Sequence, residues 1–277
     1  MIGGRTKLIA HVGYPTESFR SPAIYNPWFA RHGVDAVVVP MGCKGADFPT
    51  FLRLLFRLSN IGGALVTMPH KVTTLGLLDE VLPNARVAGA CNAVRLGPEG
   101  QLVGDMFDGE GFVRCVPRKG RRLRGARALV VGSGGVGSAI AASLAGAGVA
   151  ELSLFDVSAP AMERLAGRLE GAYPALAVSV GSNDPSGFDL VVNATPMGMS
   201  LGDPLPVDAT RLDPGCLVGE VVLSQEITPF LAAARERGCA FTTGLDMLFE
   251  QIPAYLDFFG WPGATAEELR AGARLPD

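Results

Sequence analysis

The sequence has no long hydrophobic run, no excess of basic residues and no cluster of cysteines. Its apolar stretches, such as 36–41 and 128–131, end well before the ~20 residues that a bilayer-spanning helix needs, so no membrane partner is expected. The 24 Lys and Arg residues against 27 Asp and Glu give a net charge of −3, which argues against binding to a nucleic-acid backbone. The five cysteines stand singly, so we expect reduced core residues, with neither a disulfide framework nor a metal site.

What the sequence does contain indicates a globular protein. Of its 277 residues, 48% are hydrophobic and 18% charged, which is enough apolar material for one large or two medium domains. The 36 glycines and 20 prolines are typical of a chain in which strands and helices alternate through tight connections. The first residues show no apolar core and no cleavage site of a secretion signal, so a cytoplasmic location is expected.

In the first half, short apolar runs alternate with amphipathic stretches. Strands are predicted at 7–12, 36–40 and 63–67. A helix that begins near Asp47 is predicted to pack one face on a sheet, with Phe51, Leu54, Leu55 and Leu58 on that face. The basic, flexible stretch 117–122 then indicates a break between two domains.

The second half repeats the order of strand, turn and helix. Strands are predicted at 127–131, 152–155, 190–193 and 216–222, and helices at 138–147, 162–169 and 228–236. This alternation predicts an α/β fold with a doubly wound parallel sheet.

A glycine-rich loop follows the first of these strands. The loop has the pattern G-x-G-x-x-G, formed by Gly132, Ser133, Gly134, Gly135, Val136 and Gly137. Such a loop brings free backbone N–H groups at a helix N-terminus to a pyrophosphate, so a dinucleotide site is predicted. Asp156 ends the next strand, where a carboxylate accepts hydrogen bonds from a ribose and repels a 2′-phosphate, which favours NAD over NADP. The plainer alternatives are a glycine-rich turn and a turn aspartate.

Two loops in the first half carry groups suited to acid–base chemistry. Hydride transfer needs a side chain that exchanges a proton with the reacting oxygen. Thr67 to Lys71 offers a lysine after a proline turn, and Gly104 to Gly109 offers two aspartates. Taken singly, the lysine is more typical of a solvated surface charge, and the aspartate before Gly109 is more typical of turn chemistry.

Together these segments form an ordered set of motifs. In chain order they are Gly13-Tyr14-Pro15 with Ser21-Pro22, then 66–71, 88–93, 104–109, 193–196, 228–231 and 244–251. In this order the chain resembles the shikimate dehydrogenase family over nearly its whole length. The resemblance implies an N-terminal α/β substrate domain over 1–108, to which C-terminal helices at 245–277 return, and a Rossmann dinucleotide-binding domain over 109–244.

The resemblance also implies roles for individual residues. Lys71 and Asp108 match the catalytic positions, Lys71 as proton donor and acceptor and Asp108 as the group that orients it and binds a neighbouring hydroxyl. The positions that match substrate contacts are Ser21, Thr67, Asn92 and Gln251. Those that match positions near the nicotinamide and its ribose are Thr195, Val221 and Gly244. Caps of turns and bonds to loop backbone remain the local alternatives for Ser21, Thr67 and Asn92.

Five positions that are polar in the family are apolar in this chain. They are Phe19, Leu65, Met106, Phe107 and Leu223. Because each lost hydrogen bond to a substrate is worth about 1–3 kcal/mol, these changes indicate a divergent member rather than a biosynthetic shikimate dehydrogenase. Arg20 is a candidate replacement for the lost serine hydroxyl, or an exposed arginine.

The sequence therefore predicts an NAD-preferring dehydrogenase of a small molecule. The expected substrate is a cyclic polyol acid such as shikimate, quinate or aminoshikimate, or a less polar relative, and the expected assembly is a monomer or homodimer. The alternative is a catalytically silent NAD-binding sensor with the same fold, against which the retained Lys71 and Asp108 argue.

Overall fold

The computed structural model describes residues 2–17, 19–200 and 202–275. The chain forms two compact units, each built around its own six-stranded sheet. The first unit contains 1–86, 90–107 and 252–277, and the second contains 87–89 and 108–251. The expectation of a break at 117–122 is wrong, because this stretch lies inside the second unit, where a helix ends at Arg118.

The first unit begins with alternating strands and helices. Its elements before Asp108 are β1 (Lys7–Gly13), α1 (Ser21–Arg31), β2 (Ala36–Gly42), α2 (Phe48–Leu55), β3 (Ile61–Val66), α3 (Lys71–Thr74), β4 (Glu80–Val81), α4 (Pro83–Ala88), whose last two residues belong to the second unit, β5 (Ala93–Leu96) and β6 (Leu102–Asp105). The strand order is β2-β1-β3-β5-β6-β4. The pairs β1–β2 and β1–β3 are parallel, whereas β5 is antiparallel to both neighbours. The parallel part directs the ends of β1 and β3 to the same edge of the sheet.

The buried face of α2 differs from the expected one. Leu54 and Leu58 are 52% and 54% exposed, whereas Phe48, Leu52 and Leu55 are buried. The helix ends at Leu55, so the helical spacing that linked Leu58 to the earlier apolar residues does not extend that far.

The second unit follows the doubly wound pattern. Its elements are α5 (Asp108–Arg118), β7 (Arg127–Val131), α6 (Gly135–Gly146), β8 (Glu151–Phe155), α7 (Ala159–Ala172), β9 (Ala177–Val180), β10 (Leu190–Asn193), β11 (Leu217–Glu220), α8 (Pro229–Glu236) and β12 (Ala240–Thr242). Next comes α9 (Gly244–Phe258), whose residues from Ile252 onward belong to the first unit, followed there by α10 (Ala266–Gly272).

The second sheet confirms the predicted doubly wound parallel architecture. Its order is β12-β11-β10-β7-β8-β9, and every neighbouring pair is parallel. Val130 of β7 and Leu152 of β8 pack with Ile140 of α6 in one buried cluster. The chain reverses direction across the sheet between β7 and β10, and ligands of such sheets bind at this switch point, outside the carboxyl ends of the strands.

Two further features are the burial of the five cysteines and the length and apolar character of the helices. All five cysteines are free and buried. Burial raises the pKa of Cys91, Cys115 and Cys216 to about 12, which keeps these thiols protonated. Among the helices in the described part of the chain, none combines the length and apolar character needed to cross a membrane.

Candidate active site

In the first unit, Lys71 is fixed by the turn that joins β3 to α3. The backbone N–H of Thr67 donates to Val12 O over 2.9 Å, which ties the end of β3 to β1. The N–H of His70 donates to Thr67 O over 2.9 Å and closes the turn. The buried His70 ring stacks on Phe48, and its Nε2 lies 2.8 Å from Cys43 O. Lys71 therefore begins α3 from a rigid support at the carboxyl end of the parallel strands.

Gly13 allows side chains to converge at this edge. A Cβ atom on Gly13 would lie 2.4 Å from Thr67 Cγ2 and 2.8 Å from the ring of Phe19. A larger residue would therefore push both groups away. Ser21, the first residue of α1, is half-buried at the end of the loop that carries Phe19.

Asn92 is almost fully buried, at 1% exposure. Its Oδ1 accepts the backbone N–H of Phe107 over 3.0 Å, so it fixes the segment that follows β6. The Phe107 ring packs against Tyr255 and Phe258, at centroid distances of 5.0 and 5.4 Å. Met106 is 1% exposed. The replacement of polar residues at positions 106 and 107 thus enlarges the core of this unit.

In the second unit, Asp108 is the first residue of α5 and is 4% exposed. A carboxylate at this end of a helix is stabilised by the helix dipole. A Cβ on Gly109 would lie 2.0 Å from Ala139 O, so α5 packs directly against the backbone of α6. Gln251 in α9 is 8% exposed, and its Oε1 is buried without a hydrogen-bond partner. A buried amide oxygen without a partner is costly, so this atom is a candidate acceptor for a ligand.

The glycine loop between β7 and α6 has the geometry that a pyrophosphate requires. Gly132 has φ +106°, and a Cβ on Gly137 would lie 1.9 Å from Gly132 O, so both positions need glycine. A Cβ on Gly134 would meet nothing within 4 Å, which leaves the approach to the N-terminus of α6 open. Gly135 and Val136 form the first turn of α6, and the buried Oγ of Ser133 has no partner. The residues present therefore fit a dinucleotide.

Asp156 supports this loop directly. Its Oδ2 accepts the backbone N–H of Ser133 over 2.6 Å, and its Oδ1 accepts the N–H of Ser158 over 2.8 Å. The carboxylate therefore lies at the carboxyl edge of the sheet, beside the glycine loop. Its bond to Ser158 is also the turn contact that the simpler interpretation expected.

A buried polar network organises the loops after β10 and β11. Glu220 is 0% exposed and accepts hydrogen bonds from Asn193 Nδ2 at 2.9 Å, Thr228 Oγ1 at 2.8 Å and Val221 N at 2.8 Å. Asn193 Oδ1 in turn accepts the hydroxyl of Thr195 at 2.6 Å. Burial raises the pKa of the Glu220 carboxyl. The network fixes Thr195 and Val221 at the edge where the glycine loop lies.

Gly244 belongs to the same edge of the second unit. A Cβ there would lie 2.2 Å from Val222 O, so the start of α9 approaches the loop after β11 too closely for any side chain. Glu220 belongs to none of the motifs from which site residues were predicted. A glutamate at the end of an otherwise apolar strand was the signal, because an acid in that position is stable only with partners.

Removal of the Glu220 carboxylate is expected to destabilise the second unit. Glu220→Ala leaves Asn193 and Thr228 with unsatisfied buried polar groups, at about 1–3 kcal/mol each, so we expect a loss of about 2–6 kcal/mol in the free energy of unfolding. Denaturant titration measures this loss. The exposed Glu170→Ala is the matched control and is expected to change stability by less than about 0.5 kcal/mol. Equal stability of the two variants would show that the network contributes nothing.

Comparison with known proteins adds independent evidence. The model of the shikimate dehydrogenase substrate binding domain matches residues 12–94, and that of the ThiF family matches 112–159. A shikimate dehydrogenase (NADP(+)) from Acidiphilium cryptum is 35% identical over 263 residues, which is 94% of this chain and 93% of the relative.

Two solved structures extend the comparison. Shikimate 5-dehydrogenase from Listeria monocytogenes, in complex with shikimate and NAD, has 25% identity and a TM-score of 0.89, with 98% of this chain and 97% of that chain covered. The ligand-free 5-ketofructose reductase of Gluconobacter sp. strain CHM43 has 26% identity and a TM-score of 0.86, with 98% of both chains covered. Since the similarity extends over nearly the entire sequence and both sheets, the chain belongs to the shikimate dehydrogenase family of oxidoreductases.

Proposed function

We propose that this protein is an NAD-preferring dehydrogenase that transfers a hydride between the nicotinamide and a ring hydroxyl or ketone of a cyclic polyol. The substrate is an acid such as shikimate, quinate or aminoshikimate, or a less polar relative. The observation that carries the proposal is the rigid support of Lys71 at the carboxyl end of β3, in a chain that belongs to a family of dehydrogenases.

The chemistry follows from the residue types at the site. Lys71 exchanges a proton with the reacting oxygen, because a bare alkoxide is too costly in a closed site. Asp108 orients the side chain of Lys71 and binds a neighbouring hydroxyl of the substrate. Ser21, Thr67 and Asn92 from the first unit and Gln251 from the second donate or accept hydrogen bonds to the substrate hydroxyls. The orphan Oε1 of Gln251 supports this role.

The second unit supplies the cofactor groups. The glycine loop from Gly132 to Val136 binds the pyrophosphate through backbone N–H groups, and Thr195, Val221 and Gly244 lie near the nicotinamide and its ribose. The cofactor, when bound, supplies the hydride acceptor or donor. The protein's own side chains orient the substrate and exchange the proton.

The preference for NAD rests on Asp156 and its surroundings. The segment 155–160 contains no Lys or Arg that would pair with a 2′-phosphate, and Val157 within it is 89% exposed. A carboxylate there repels the phosphate of NADP. The names of the relatives from Acidiphilium cryptum and Rhodospirillum rubrum state NADP(+), whereas the Listeria monocytogenes enzyme is in complex with NAD. The names of the curated relatives thus favour NADP, and the proposed preference for NAD rests on Asp156 and its surroundings alone.

A single methyl group in the glycine loop is expected to block the cofactor without harming the fold. Gly134→Ala introduces a Cβ that contacts no protein atom, so the unfolding temperature is expected to stay within about 2 °C while the Kd for NAD rises at least about tenfold. Isothermal titration calorimetry measures the affinity. Gly167→Ala on α7, which also meets nothing within 4 Å, is the control and keeps full affinity. Unchanged NAD binding by Gly134→Ala would remove the loop from the cofactor site.

The proposal also covers the type of substrate, the oligomeric state and the cellular location of the enzyme. A small-molecule substrate, a monomer or homodimer and a cytoplasmic location are proposed with it. The reduced, buried cysteines support the cytoplasmic location.

The function is tested by initial rates of NAD and NADP reduction with shikimate and quinate. The proposed function would be contradicted if none of the two acids and their uncharged amides were turned over with NAD or with NADP.

A further inference from the structure

Strand β1 of the first unit carries a buried histidine that the proposed reaction does not use. His11 lies in β1, is 8% exposed, and stacks on the ring of Phe19 with centroids 4.0 Å apart and planes 23° from parallel. Phe19 also reaches across Gly13 to the position next to Thr67. The two rings therefore stand at the same edge of the sheet as Thr67 and Lys71.

The neighbouring strand extends this surface with an apolar side chain. His11 pairs with Leu65 of β3 in parallel register, so the two side chains project from the same face of the sheet on neighbouring strands, which lie about 4.8 Å apart. Leu65 is 4% exposed. We call His11, Phe19 and Leu65 the His11 wall.

The His11 wall is uncharged. Burial, and to a smaller extent the nearby positive charge of Lys71, lower the pKa of His11 to about 3, so the imidazole is neutral at physiological pH. Its Nδ1 atom is buried and has no hydrogen-bond partner. A buried polar atom without a partner is costly, and one beside a site is satisfied when a ligand supplies the missing bond.

A carboxylate against this wall would be poorly accommodated. Two of its three side chains are apolar, and an ionised carboxylate that leaves water needs a cation or several N–H donors. A neutral imidazole supplies one donor or one acceptor, which suits a hydroxyl, carbonyl or amide of the substrate.

We propose that His11 determines the specificity of this site and that the substrate is an uncharged cyclic polyol or hydroxyketone, whose neutral polar group bonds His11 beside Phe19. This inference rests on the proposed function. Of the substrates proposed there, it selects the less polar relatives over the acids. Arg20 follows Phe19 in the same loop, and its pairing with a substrate carboxylate is the competing outcome.

The test compares shikimate with its primary amide, which has nearly the same shape without the charge. We expect kcat/KM for the amide to exceed that for the acid at least about tenfold in the natural protein. The double variant Phe19→Ser with Leu65→Asn is expected to shift this ratio toward the acid by a similar factor. A natural protein that uses the acid better than the amide would overturn the inference.

Two substitutions of His11 distinguish a hydrogen-bonding role of this side chain from a packing role. His11→Leu removes the polar atom, so KM for the amide is expected to rise at least about fivefold with kcat less affected. His11→Asn keeps a polar atom at the δ position and is expected to restore KM to within about twofold of the natural value. Equal KM values in the two variants would assign His11 to packing alone.

The failure of this inference and that of the proposed function are distinguishable. Lys71-dependent turnover with preference for the acid would overturn the inference and leave the function standing. Should no compound be turned over, the function fails, and thermal unfolding with each compound still decides the inference. Greater stabilisation by the acid would overturn it, and greater stabilisation by the amide would support it.

Discussion

Replacement of Lys71 by alanine is expected to reduce kcat by about 10²–10⁴-fold, the usual contribution of a positioned acid–base group. The lysine stands on a turn that backbone hydrogen bonds close, and these bonds do not depend on the identity of its side chain. The fold of the first unit and the affinity for NAD are therefore expected to survive the change. Initial rates of NAD reduction at mildly alkaline pH measure the loss, and calorimetric titration checks that cofactor binding is retained.

Lys7 offers the matched control for this experiment. It begins β1 in the same unit and is exposed, so Lys7→Ala removes an equal charge away from the turn after β3. We expect its kcat to stay within about twofold of the natural value. An equal loss of rate in both variants would show that net charge, and not the position of Lys71, determines activity.

The second large effect is expected at Asp156. Asp156→Asn removes the negative charge and keeps an oxygen that accepts the N–H of Ser133. Charges about 5 Å apart near a protein surface interact by about 1–3 kcal/mol. The ratio of kcat/KM for NADP to that for NAD is therefore expected to rise by about tenfold or more. Parallel rate measurements with both cofactors check this shift.

The exposed Glu163 on α7 provides a comparison of equal charge. Glu163→Gln is expected to change the cofactor ratio by less than about twofold, since it lies outside the loop that carries Asp156. A natural protein that uses NADP better than NAD would contradict the proposed preference. It would also agree with the name of the Acidiphilium cryptum relative.

The sequence predicted the fold most reliably where hydrophobic spacing and turn residues agreed. The four strands predicted for the second sheet and the helix after the glycine loop are present, because continuous apolar runs bounded by glycine are typical of buried parallel strands. The edge strands β9 and β12 were not predicted. The helix α5 was not predicted. Gly109, Gly111 and Pro117 are poor helix formers, and packing against α6 compensates for them.

The candidate site was predicted only where residues form local motifs. The glycine loop and Asp156 stand in one structural unit, as their spacing indicates. His11 and Glu220 were missed, because each is a single polar residue within an apolar strand and has no sequence pattern of its own. Their importance follows from burial, which makes any polar group depend on its partners.

We propose that this protein oxidises the ring hydroxyl of a cyclic polyol with a nicotinamide cofactor, and that Lys71 is the acid and base of this reaction. Initial rates of NAD reduction with shikimate, quinate and their amides, for the natural protein and for Lys71→Ala side by side, test this proposal. We expect turnover of at least one compound by the natural protein and loss of this turnover in the variant. Binding of NAD without turnover of any of these compounds would refute the proposal and favour a catalytically silent sensor.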